Sequence, residues 1–289
     1  VSDRIDERPI DLPLVGPDDP SWLLTPAPPG SPTDLVRVHG GPGRLVRLQI
    51  PPILVMGSSG GSGTTTTVLG LAAAAADDNP EQSPVAVDAT PTGGDLARRG
   101  CDVADPAGTV QSWLAMKHRS LPSSVIATCG ETSAETGVLP RGPEPLPRRE
   151  SYISVHRDLC DAGALPIYDA GGAVTNRLIA PLLADPRIGL VITLACRPDA
   201  INRLQPALVW LDDNYSQYHL ADAVIVITRQ HRSDGPDVAD HARNYLGGFV
   251  RAIAEIPYDP HLSTGGPITW NHLTPLTRAA YRNLLSLLR

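Results

Sequence analysis

Seven short runs of β-branched and aliphatic residues alternate with stretches of helical character from residue 50 onward, and this alternation limits the possible folds more than any other feature. The runs are ILVMG (53–57), VAVDAT (85–90), SVIATC (124–129), LPIYDAGG (165–172), IGLVITLA (188–195), AVIVITR (223–229) and AIAEIPYD (252–259). Most are apolar at successive positions, as strands covered on both faces should be. Helical patterns fill the gaps at 65–78, 107–118, 173–185, 200–213, around 237–247 and at 273–289. Such alternation predicts an α/β fold with a doubly wound, mainly parallel sheet and helices on both faces. A chain of 289 residues that is 42% hydrophobic can bury a core of that kind.

The leader differs in character. Eight prolines fall within the first 32 residues, so no continuous helix or interior strand fits there. Residues 1–49 are predicted to be a Pro-rich tail or linker, and 50–289 one domain. A second proline cluster, PRGPEPLPRR (140–149), reads as an exposed loop inserted into the sheet. The net charge of −7 offers no general attraction to nucleic acid or anionic lipid, and no specific nucleic-acid partner is expected. Cys101, Cys129, Cys160 and Cys196 lack metal-ligand or CxxC spacing and read as reduced, mostly buried thiols. With no apolar leader and no run of membrane-spanning length, the expected location is the cytoplasm. Lys117 is the only lysine against 23 arginines, a bias that a GC-rich bacterial genome produces by itself.

The stretch VMGSSGGSGTTTTVLG (55–70) places a glycine-rich loop between the first strand and the first helix. Backbone amides of Gly60, Gly61, Ser62 and Gly63 at a helix N-terminus form a cradle for phosphate, and the helix dipole adds to it. The alternative without a ligand is a plain strand-to-helix turn. Gly57–Gly61 also fits G-x-S-x-G, with Ser59 as a serine-hydrolase nucleophile and HGGPG (39–43) as an oxyanion loop. Only 15 residues separate Gly43 from Ser59, too few for the elements that lie between those motifs in a hydrolase, which leaves this a distant alternative.

In order and spacing, several motifs together resemble the MinD/ParA-like family of P-loop ATPases, whose loop reads K-G-G-x-G-K-T-T. The matching stretch is Ser59-Gly60-Gly61-Ser62-Gly63-Thr64-Thr65-Thr66. The family's D-x-D-P-x-x-G is met by VAVDATPTGGDL, with Asp88 and Pro91. Its Walker B region is met by Asp161 and then PIYDAGG, with Asp169. Its base-contacting turn and last motif are met by VIVITR (224–229) and IPYD (256–259). The resemblance implies ATP and Mg²⁺ as cofactors: residues 60–66 around the phosphates, and Thr65, Asp88 and Asp169 at the metal, with Asp88 the candidate catalytic acid.

The departures from the family fall on its charged residues. Thr64 and Ser59 stand where the family has the phosphate-neutralising and dimer-crossing lysines, Thr90 replaces the second acid of D-x-D, and Thr228 replaces the usual Asn. The expected protein is therefore a degenerate member, a pseudo-ATPase, with ATP and Mg²⁺ bound weakly if at all. The alternative is an active ATPase using non-standard residues, with Arg98 or Arg99 as substitute charge. Asp259 and His261 read as turn residues instead of an acid–base pair. By the same resemblance, the role lies in partitioning, conjugation or specialised secretion, with protein partners docking on the N-terminal tail or on 140–149. In the last helix, Leu273, Leu276, Ala280, Leu284, Leu287 and Leu288 share an apolar face, which suits packing on the sheet better than peripheral membrane contact.

Overall fold

The computed structural model describes residues 50–147, 150–172, 174–215, 217–232 and 237–289. The expected tail (1–49), HGGPG, residues 148–149 of the second proline cluster and Ala173 of a predicted helix lie outside the described residues. The strands are β1 (Ile53–Gly57), β2 (Ser83–Asp88), β3 (Gly130–Glu131), β4 (Gly137–Leu139), β5 (Ala164–Asp169), β6 (Gly189–Ala195), β7 (Val224–Thr228) and β8 (Ala252–Ile256). They form one sheet in the order β3-β4-β2-β5-β1-β6-β7-β8, parallel throughout except for the edge pair β3·β4.

Alternate residues of the strands enter two separate cores, which explains their continuous apolar runs. Leu54, Met56, Val85, Val87, Ile192 and Ile225 face one way. They pack under α3 (Val110–Ala115), α5 (Tyr152–Asp161), α6 (Ala180–Leu183), α7 (Pro198–Asn214) and α9 (Asp237–Leu246). Ile53, Val55, Ala86, Ile167, Val191 and Val226 face the other way, under α1 (Thr64–Asp78), α2 (Leu96–Gly100) and α11 (Pro275–Ser286). The remaining helices are α4 (Pro122–Thr128), α8 (Gln217–Ala221) and α10 (Pro260–Ser263).

Several elements differ from the sequence reading. SVIATC, predicted as a strand, lies in α4. Pro122 sits at its start with φ already suited to a helix, and the Thr128 hydroxyl donates to the Ser124 carbonyl at 2.9 Å. The place beside β2 goes instead to β4, three residues too short to stand out in a pattern. The helix predicted at 173–185 shrinks to Ala180–Leu183, because Asn176 organises a turn, accepting from Leu178 N–H at 3.0 Å and donating to the Ala89 carbonyl at 3.1 Å. Within the cluster at 140–149, Arg141 is buried, so that loop is not exposed throughout.

The last helix packs on the protein. Tyr281, Leu284, Leu285 and Leu288 are buried in the core over α1, together with Leu273. The buried face is rotated from the expected one, for Thr277 and Tyr281 point inward and Leu276 is 68% exposed. Tyr281 lies over Gly70, where any Cβ would overlap its ring, and its hydroxyl donates to the Thr66 carbonyl at 3.2 Å. Among the described residues no helix is long and apolar enough to cross a membrane. Tyr281→Ala empties this contact and is expected to cost about 3 kcal/mol or more, measured by urea denaturation. Deleting 273–289 should unfold the protein; a truncated form that stays folded and loses only vesicle binding would contradict the packed role.

Candidate functional site

β1 lies between β5 and β6; the connection from β1 crosses over β5 to β2, while that from its neighbour β6 runs the other way to β7, so connections leave the carboxyl ends of these two strands in opposite directions. Open parallel sheets bind ligands at such a switch point. A cleft of about 830 Å³ opens there, lined among others by Gly60, Gly61, Thr65, Thr90 and Gly171. The glycine loop forms its floor. Gly63 caps α1 at φ 84°, in the left-handed region that only glycine adopts without strain. The loop is stitched to the sheet by Gly57 N–H donating to the Gly171 carbonyl at 2.7 Å and Ser58 N–H to the Thr193 carbonyl at 2.9 Å.

Thr64 borders the cleft, but its hydroxyl is engaged with the sheet. Its hydroxyl lies 3.1 Å from that of Thr193 on β6, and the Ser62 hydroxyl is 2.9 Å from the same Thr193 oxygen. All three side chains are buried. They form a hydroxyl cluster beneath the loop, between its backbone and the sheet. Thr228, expected at a base-contacting turn, also belongs to this support: its hydroxyl donates to the Ser62 carbonyl at 2.9 Å.

The two acids come together as the motifs imply. Asp88 and Asp169 are register partners at the ends of β2 and β5. Asp169 accepts the Thr65 hydroxyl at 2.6 Å and Gly171 N–H at 3.0 Å. Burial pushes its carboxyl up to about 6 despite those two hydrogen bonds. Asp88 is fully buried. One of its oxygens accepts Thr90 N–H at 2.9 Å and the Thr90 hydroxyl at 2.6 Å, and the other accepts Gly94 N–H at 2.7 Å. Asp161 stands apart, exposed at the end of α5, so the Walker B match reduces to Asp169.

Of the candidate substitute charges, Arg99 lines the cleft and donates to the Leu262 carbonyl at 3.3 Å, whereas Arg98 is exposed and absent from the lining. Arg229, Arg232 and Tyr258, which the sequence reading did not single out, line the far end. Arg229 pairs with Glu255 at 2.8 Å and Arg232 stacks 5.6 Å from the Tyr258 ring centre. Arg141 was also missed; it donates to the Thr90 carbonyl at 2.6 Å and so holds the loop that wraps Asp88. Asp259 caps α10 through His261 N–H at 2.8 Å and accepts Thr274 N–H at 2.8 Å, the turn role expected of it. The Ser59 hydroxyl is buried and touches no base among the described residues, which removes the chemistry a serine nucleophile needs.

The donor set can be compared with a nucleotide and a hard cation. Thr65 and Asp169 offer adjacent oxygens of the kind Mg²⁺ takes together with phosphate oxygens and water. Among the described residues no group of three or more His, Cys, Asp or Glu side chains could hold a metal unaided. Residues 60–66 offer backbone amides to an anion, and no lysine accompanies them.

No protein-family profile matches the chain, and no curated protein matches it. Solved structures do. A ParA family ATPase from Chlorobium tepidum TLS is 12% identical, with a TM-score of 0.59 over 82% of this chain and 99% of the other. The cell division ATPase MinD of Pyrococcus furiosus is 18% identical, with a TM-score of 0.53 over 81% and 97%. Cobyrinic acid a,c-diamide synthase from Mycobacterium smegmatis, with a bound ATP analogue and magnesium, is 15% identical, with a TM-score of 0.52 over 81% and 93%. The chain thus has the P-loop fold of ParA/MinD-type ATPases, a fold that also carries other chemistry.

The hydroxyl cluster yields a test. Thr193→Val leaves the Ser62 and Thr64 hydroxyls short of their shared partner and is expected to cost about 1–3 kcal/mol. Adding Thr64→Val should recover part of that loss, as a double-mutant cycle by urea denaturation would measure.

Proposed function

We propose that this chain is a degenerate MinD/ParA-like protein, a pseudo-ATPase that acts as a binding or regulatory component, with partitioning, conjugation or specialised secretion as its setting. The observation that carries this reading is the position of Thr64, whose hydroxyl is spent on Thr193 beneath the loop. Phosphoryl transfer rests on positioned positive charge, and removing one such group commonly costs about 10³-fold or more in rate. The cradle amides and the α1 dipole remain, worth about 1–2 kcal/mol to an anion in favourable geometry. Thr90 in place of an acid removes a second member of the catalytic set. Protein partners engage the N-terminal segment or the 140–149 loop. The latter reaches the site through Arg141 and is fixed to α3 by Gln111, whose amide donates to the Gly142 carbonyl at 3.1 Å and the Glu144 carbonyl at 2.7 Å.

A second reading, an ATPase with non-standard residues, draws on one feature: Arg99 lies in the cleft with its Nε buried and unpartnered. Calorimetric titration with ATP–Mg²⁺ and a phosphate-release assay separate the two. Weak or absent binding and background hydrolysis are expected. Thr64→Lys should raise nucleotide affinity about tenfold, equivalent to about 1.4 kcal/mol, and leave turnover low because Thr90 and Ser59 remain. Robust hydrolysis by the unaltered protein that vanishes in Asp88→Asn, Asp169→Asn and Arg99→Ala would establish the second reading instead.

A further inference from the structure

Four of the seven large apolar side chains exposed among the described residues belong to one segment, 103–126: Val103 (61%), Met116, Leu121 (51%) and Ile126 (71%). The short helix α4 buries Ser124, Val125 and Thr128, and turns Leu121, Pro122, Ser123, Ile126 and Ala127 outward. That outer face carries no charge, unlike the solvated faces of α7 and α9 with their Asp and Arg pairs. Beside it, a groove of about 470 Å³ is lined by Val103, Ile126, Glu131 and Glu135, among others. Exposed apolar patches bordered by polar residues mark interaction surfaces.

The backbone here cannot supply the attachment. β3 is the edge strand, yet its outer side is already paired: Glu131 N–H donates to the Ala104 carbonyl at 2.8 Å, and Val103 N–H to the Glu131 carbonyl at 3.2 Å. An added strand would find no free ladder, so whatever covers this surface must do so through side chains.

Charge identifies the occupant. Exposed Lys117 and His118 precede the N-terminus of α4, and the Ser124 hydroxyl donates to the His118 carbonyl, which holds them at that end. Exposed Glu131 and Glu135 follow its C-terminus, with Asp105 also exposed. Among the described residues none of these five groups makes an ion pair, whereas neighbouring Arg119 is engaged by Glu150 and Asp158. A patch that is cationic at one end, apolar in the middle and anionic at the other is complementary to itself after a half-turn, as a two-fold interface requires.

We propose that this edge of the sheet is the interface of a two-fold homodimer. In it α4 of one protomer lies antiparallel to α4 of the other, Leu121 and Ile126 meet at the centre, and Lys117 faces the partner's Glu131 and the partner's Glu135. β3 stands four strand positions from β1, about 19 Å at the usual spacing. The contact is therefore separate from the phosphate cradle, needs no nucleotide, and does not rest on the pseudo-ATPase reading.

Sedimentation equilibrium of the full chain without nucleotide, over a concentration series, tests this. The unaltered protein should show a species of twice the chain mass. Ile126→Glu should leave only monomer, with circular dichroism and melting unchanged because the side chain is exposed, and Leu121→Asn should act in the same direction. Lys117→Glu should raise the dimer dissociation constant about tenfold, and combining it with Glu131→Lys should restore association, a recovery that loss of fold would not give. A monomer at every concentration, a dimer indifferent to Ile126→Glu and Leu121→Asn, or a dimer formed only with ATP–Mg²⁺ would each overturn the proposal.

Discussion

The pairing of β1 with both β5 and β6 is the constraint from which the rest of the site follows. Because these three strands and β2, which pairs with β5, run parallel, their carboxyl ends emerge on one edge, and the loops that leave them must share the space there. The glycine loop, the Asp88 loop and the turn after Asp169 consequently touch one another through backbone hydrogen bonds, with Ala170 N–H donating to the Val55 carbonyl and Ala89 N–H to the Asp169 carbonyl. Burial of the sheet on both faces makes this arrangement stiff, since any shift of one strand disturbs two cores.

That rigidity explains which parts were legible from the sequence. The long buried strands and α1, α7 and α11 announce themselves by continuous apolar runs and by helical periodicity. The edge of the sheet does not. There Gly137–Leu139 is too brief to carry a pattern, and α4 has β-branched Val125 and Ile126, whose strand propensity is overridden by Pro122 at the helix start and by the Ser124 and Thr128 hydroxyls bonding to nearby carbonyls. At the site, the place of the glycine loop between β1 and α1 and the meeting of Asp88 and Asp169 at neighbouring strand ends could be read from motif order. The hydroxyl support could not, because it depends on a contact 129 residues apart. Its one visible signal was Thr193, a polar residue inside the otherwise apolar run IGLVITLA.

In the sequence, Arg141 gives no sign of its buried place. Within a proline-rich stretch an arginine reads as solvated, and only the fold reveals that it turns inward to the Thr90 carbonyl. It joins the 140–147 loop to the loop around Asp88. A partner that moved the first would disturb the second, with no need for a reaction at the site.

The two acids bear on the same point. By motif Asp88 and Asp169 match acids of a metal site, and their local bonding also gives each a structural reason to be there. Asp88 gathers Thr90 and Gly94 into a closed turn, and Asp169 joins the start of α1, through Thr65, to the turn at Gly171. A buried carboxylate that accepts several hydrogen bonds is costly to remove, because its donors are then left unpaired. A P-loop chain relieved of catalysis would accordingly lose cations whose partner was the nucleotide at little cost to stability, while acids bonded within the fold stayed. Lysines absent and acids present is therefore the pattern that folding stability alone would leave behind.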